Sequence, residues 1–170
     1  MNLRKHLILG ATVAALVGGM ALPASAADTA TTFSLTGGVL TLSVGATAAL
    51  TNEASGVDAN VITGSLGAVS VTDARGGTTG WVTSAASTTF TGTDLSVSAG
   101  VAYTNGTVTE TGISDVAAVT AASIVSVIPV ATATAVSGNN TASWDPTLDV
   151  SMPAGALAGD YAGTVTTSLV

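Results

Sequence analysis

Cysteine is absent from all 170 residues, and beyond residue 26 there is no lysine or histidine either, leaving Arg75 as the one basic side chain. Each absence removes a class of chemistry. Without cysteine, no disulfide can brace a small exported domain. The fold must rest on burial, which a domain of about 150 residues achieves by hiding roughly 68–70% of its unfolded surface. Without histidine, cysteine or lysine there is no Ser-His-Asp or Cys-His nucleophile, no Schiff-base lysine and no zinc held by imidazole or thiolate. Only a carboxylate mechanism such as a glycosidase pair survives, and no motif points to one. The chain is therefore read as not an enzyme, with no cofactor. Ten carboxylates face the single guanidinium. That balance excludes a nucleic-acid backbone and an anionic membrane surface as partners, and favours solubility and cationic ligands. The acidic residues are scattered, without the Asp-x-Asp-x-Asp run that converging calcium ligands use, so no metal site is expected.

What is present begins with the first 26 residues. Arg4 and Lys5 precede an apolar run from Leu7 to Leu22, followed by Pro23 and the small-x-small sequence Ala24-Ser25-Ala26. That order is a secretory signal peptide with cleavage after Ala26. A membrane-spanning helix needs about 20 predominantly apolar residues without such a break. The absence of an Arg-Arg pair indicates the general secretory route. No membrane anchor is expected in the mature chain, and no Leu-Pro-x-Thr-Gly sorting motif follows. Residues 27–170 then form a single domain, secreted and extracellular.

Within that domain Ala, Val, Thr, Ser and Gly dominate, and period-two alternation recurs where helical periodicity does not. Phe33 and Leu35 alternate with Thr and Ser. Leu40, Leu42 and Val44 follow Gly37-Gly38, and Val69 and Val71 precede a turn at Asp73–Gly77. The longest alternation runs Leu95, Val97, Ala99, Val101, Tyr103 and ends at Asn105-Gly106, a hairpin signal. Val125 and Val127 lead into Pro129. Leu148, Val150 and Met152 share a face, as do Tyr161, Val165 and Leu169. Residues 52–64 read as a surface loop, and residues 114–123 fit either a short capped helix or a loose connection. Short strands divided by Gly, Asn and Asp turns predict an all-β fold, an antiparallel two-sheet β-sandwich of immunoglobulin-like or Greek-key type. With so few aromatics, Trp81 and Trp144 each carry a large share of the anchor area. They fit core plugs between sheets, the reading that ring area favours, or exposed platforms for a sugar. Arg75, beside Asp73, fits a turn salt bridge or a fork holding a carboxylate.

Three blocks carry a resemblance. The first runs from Leu66 to Gly76 and continues through Gly80-Trp81-Val82-Thr83 to Phe90-Thr91-Gly92. The second is Gly138–Val150, with Trp144-Asp145-Pro146 at its centre. The third is Met152-Pro153-Ala154 followed by Ala158–Thr166. In order and spacing they resemble the WxL-type cell-wall-binding surface proteins of Gram-positive bacteria, closest to the small secreted actinobacterial versions, over residues 31–170. Thr83 stands where that family has the Leu of Trp-x-Leu, and Thr167 where it has a second Trp. The resemblance implies an all-β domain held non-covalently at the cell wall, on peptidoglycan or another wall polymer and in company with other surface proteins. Trp81, Arg75, Trp144 and Tyr161 are the candidate wall contacts. The alternative is a structural or assembly subunit, or an adhesin component of a surface layer or fibre, that associates through edge strands.

Overall fold

A computed structural model describes residues 29–92, 98–120 and 122–170. The expected signal peptide, residues 1–26, and Leu95 and Val97 lie outside the described residues. The chain divides into two compact units, residues 1–34 and 35–170. The described part of the first, residues 29–34, has no regular structure.

Among its described residues the second unit holds ten strands and no helix: β1 (Leu40–Ser43), β2 (Asn60–Ser65), β3 (Val69–Asp73), β4 (Trp81–Ser87), β5 (Gly100–Thr104), β6 (Thr109–Ala118), β7 (Ala122–Ser123), β8 (Ile128–Trp144), β9 (Thr147–Met152) and β10 (Val165–Leu169). They form two antiparallel sheets. The first has the order β1-β3-β8-β4-β10, with β6 also paired to β8; the second has the order β2-β9-β5-β7. The expected all-β, two-sheet architecture is thus the architecture found.

The long strand β8 organises the first sheet. At Ala131–Ala133 it lies between β4 and β6, and at Thr141–Ser143 between β3 and β6. Strands β3 and β4 therefore follow one another along the same edge of β8, with residues 74–80 looping out between them. Opposite that break the ladder is irregular. Ala135 and Gly138 of β8 and Gly112 of β6 have positive φ, and the β6–β8 register shifts on either side of Ile113. Such bulges bend a strand and sharpen its twist. Gly112 is required here, because a Cβ would sit 2.5 Å from the Asn139 carbonyl oxygen at a φ of 91°.

Two apolar clusters result. One lies between the sheets, with Ala85 and Val130 meeting Val101, Tyr103, Leu148, Val150 and Met152, and with Ile124 beside them. The other is built on the first sheet: Val69, Val71, Trp81, Ala131, Ala133, Val136, Ala142 and Trp144 are buried, with Leu40, Leu42, Val116 and Leu169 against them. Small side chains on β4 and β8 leave room for the two indoles. Asp145-Pro146 carries the chain from β8 into β9 of the other sheet, and Trp144 at that corner donates its Nε1–H to the Tyr103 hydroxyl at 3.1 Å, joining the clusters. Burying one such large apolar side chain stabilises by about 1.5–3 kcal/mol.

Several local expectations change. Phe33 and Leu35 lie in no strand and are 93% and 94% exposed. Asn60–Ser65, expected within a loop, is β2, because Ile62 and Gly64 find pairing partners in β9. Residues 114–118 extend β6 instead of forming a helix, and Ala122–Ser123 pairs with β5; pairing overrides the local cap signal. Asn105-Gly106 lies in the connection between β5 and β6, with Gly106 at positive φ, but β5 and β6 belong to different sheets, so it closes no hairpin. Val125 and Val127 are exposed, and Pro129 sits in β8 next to a register shift, where a missing N–H is tolerated.

Candidate functional site

The loop between β3 and β4 is closed by a polar cluster. Asp73 ends β3 and is 2% exposed. Its carboxylate accepts three bonds from Arg75: the backbone N–H at 3.0 Å, Nε at 2.9 Å and Nη2 at 2.9 Å. Arg75 Nη2 also donates to the carbonyls of Thr79 and Gly80. Across the ladder, Asp73 is the register partner of Asn140. Asn140 donates to the carboxylate at 3.4 Å, while its Oδ1 accepts the Trp81 Nε1–H at 3.1 Å. Gly80 lets the chain pass against β8, for a Cβ there would collide with the Ala133 carbonyl oxygen. The side-chain bonds from Arg75 hold the Asp73 carboxyl down at about 2, against the opposing pull of burial; the Arg75 backbone N–H, its charge and Asn140 add to the effect. Burial raises the Tyr103 hydroxyl above its ordinary value, and the Trp144 bond works the other way.

This arrangement decides three of the four candidate contacts. Trp81 and Trp144 are each 2% exposed, so neither ring is open to a sugar. Both are core plugs whose N–H groups are satisfied inside. The Arg75 fork already grips Asp73 side-on and is not free for a wall carboxylate. The cluster is a lock that splices β3 to β4. Sequence reading found Arg75 and Asp73 as a pair but missed Asn140 and Tyr103. The available signal was the polar Gly138-Asn139-Asn140 in a run otherwise rich in Ala, Val, Thr and Ser.

Tyr161 lies elsewhere. It borders a cleft of about 490 Å³ between residues 48–56 and 156–163, floored by Ile62, Val150 and Met152. The ring is half-buried, and its hydroxyl donates to the Leu157 carbonyl at 2.7 Å. The half-buried Phe90 lines the same cleft and packs against Gly163. Asn52, Glu53, Asp58, Asn60 and Asp160 supply its polar walls. No three metal-ligating side chains stand together among the described residues. Thr167 lines a neighbouring hollow of about 310 Å³ together with Leu66, Tyr103 and Leu148.

Compared with protein-family models, with curated proteins and with solved structures, the chain matches none of them.

Proposed function

We propose that the chain is a non-enzymatic, exported surface protein of a Gram-positive envelope, and that it holds wall polymer, peptidoglycan in the first instance, non-covalently in the cleft beside Tyr161. The observation that carries this reading is the composition of that cleft. Two aromatic rings stand beside planar amide and carboxylate groups, with no cation among its lining residues. Aromatic faces pack against the C–H faces of pyranose rings, and amide and carboxylate oxygens accept from sugar hydroxyls. At about 490 Å³ the cleft is within the range of small-ligand sites, enough to seat part of a glycan strand. The order of the three sequence blocks and the export signal support the same destination. The blocks that resemble wall-binding proteins supply much of this cleft, with Phe90 from the first, Val150 from the second and Met152, Asp160 and Tyr161 from the third.

The test is co-sedimentation of the secreted protein with purified Gram-positive sacculi, with Tyr161→Ala run beside the wild type. Saturable binding reduced roughly tenfold or more in a folded Tyr161→Ala protein, a loss of about 1.4 kcal/mol, supports the reading. Wild-type protein that stays in the supernatant removes wall binding as the function.

A further inference from the structure

The first sheet has an open edge, and the chain carries a segment suited to it. Among the described residues, strand β6 is paired to β8 on one side only, and its residues are exposed or half-buried throughout. Edge strands are normally guarded by Lys, Pro or a covering element. β6 has neither residue type. Its guard is the bulge at Gly112 and two carboxylates, Asp115 and Glu110, the latter accepting from Ser114 Oγ at 2.9 Å and from the Val116 N–H at 3.3 Å. The bulge leaves Asp115–Ala118 as its longest regular run, with Ile113 63% exposed nearby.

The segment is Thr31-Thr32-Phe33-Ser34-Leu35-Thr36. It alternates β-favouring residues, carries no charge, and among the described residues pairs with no strand. Its two large apolar side chains are almost wholly in solvent. A strand of six residues spans about 20 Å, enough to cover Asp115–Ala118.

We propose that Thr31–Thr36 of one copy adds as a strand to the β6 edge of a second copy, linking copies head to tail. Charge and reach select this occupant. Pairing β6 with β6 of another copy brings Glu110 and Asp115 of both chains together, and like charges across a ladder destabilise it; an uncharged segment avoids that. The segment cannot lie along its own β6. Gly38 is tied to the Ala74 carbonyl at 2.6 Å, on the β1 side of β3. The path from there to β6 crosses about three strand spacings, roughly 14 Å, and Gly37 alone spans at most about 3.6 Å. A donor and acceptor on different surfaces make the contact heterologous, so it continues into a chain of copies unless the rotation closes a ring. Main-chain bonds supply the affinity, and Phe33 and Leu35 find cover against the partner's Ile113 side.

The test uses the full chain, secreted and processed by a Gram-positive host, over micromolar to millimolar concentrations in an analytical ultracentrifuge. The proposal expects sedimentation to rise with concentration, and a Phe33→Asp/Leu35→Asp protein to stay monomeric with an unchanged circular dichroism spectrum. Because the chain has no cysteine, Ser34→Cys can be mixed with Asp115→Cys, Val116→Cys or Ala117→Cys and oxidised. Strand addition gives covalent dimers at alternate β6 positions only. Wild type that is monomeric throughout overturns the proposal. So do oligomers that persist in the doubly substituted protein, and a Ser34→Cys/Asp115→Cys chain that closes on itself as a monomer. Wall binding is read separately, on sacculi, and neither result depends on the other.

Discussion

Replacing Asp73 by Asn keeps the shape of the side chain and removes its charge, and so isolates what the ion pair with Arg75 contributes. In the folded protein the Asp73 carboxyl is held at about 2 from an ordinary 3.8. A group depressed in this way adds stability that is complete above its unfolded value and is lost as pH falls through the folded one. At 1.36 kcal/mol per unit, the shift corresponds to about 2 kcal/mol. The Arg75 side chain is 31% exposed, and solvent screening brings the expected contribution to between about 1 and 2 kcal/mol. Urea unfolding of wild type and Asp73→Asn, followed from neutral pH downward, should show the wild type more stable by that amount at pH 7. The gap should hold to about pH 4 and close between about pH 4 and pH 2, with unchanged m values. A gap that is absent at pH 7, or that stays constant through the acid range, refutes the assignment of Asp73 and Arg75 as a charged lock.

Three further outcomes follow from the packing. Both indoles are buried, so emission should be blue-shifted in the native protein, respond little to iodide and move red on unfolding; strong native-state quenching contradicts the core placement of Trp81 and Trp144. Gly112→Ala should destabilise by about 2 kcal/mol or more, since the backbone is at positive φ and a Cβ collides with the Asn139 carbonyl, and a thermal melt within a degree of wild type would contradict the bulge geometry. Thr167→Trp places a large ring toward the hollow of about 310 Å³ and should raise stability by about 1 kcal/mol through apolar burial, read as an increase in the urea midpoint; a fall would mean that the hollow does not admit the ring.

The architecture was legible where alternation and burial coincide. Leu148, Val150 and Met152 alternate in the sequence and are buried together in β9, and Val69 and Val71 do the same in β3. Legibility failed where pairing decides the outcome. Asn60–Ser65 has the composition of a loop but lies against β9. Ser114–Ala118 has a helix cap signal but completes a ladder with β8. Phe33 and Leu35 alternate like a strand but lie in no strand among the described residues. The site followed the same rule. Which face of Trp81 is covered depends on β8 crossing both β3 and β4, a contact between residues far apart in sequence, so no local pattern announces it. Tyr161 is half-buried at the rim of the cleft, where its hydroxyl donates to the Leu157 carbonyl.

The most direct measurement of the central claim is a sacculus-binding isotherm for three proteins: wild type, Tyr161→Ala and Trp81→Phe. Trp81→Phe removes the N–H that reaches Asn140 and shrinks a buried ring; it should lower stability by roughly 2 kcal/mol or more and bind as the wild type does. Tyr161→Ala should stay folded and lose binding. Wild-type protein with no saturable affinity for sacculi, or a folded Trp81→Phe protein that alone loses it, would contradict the account.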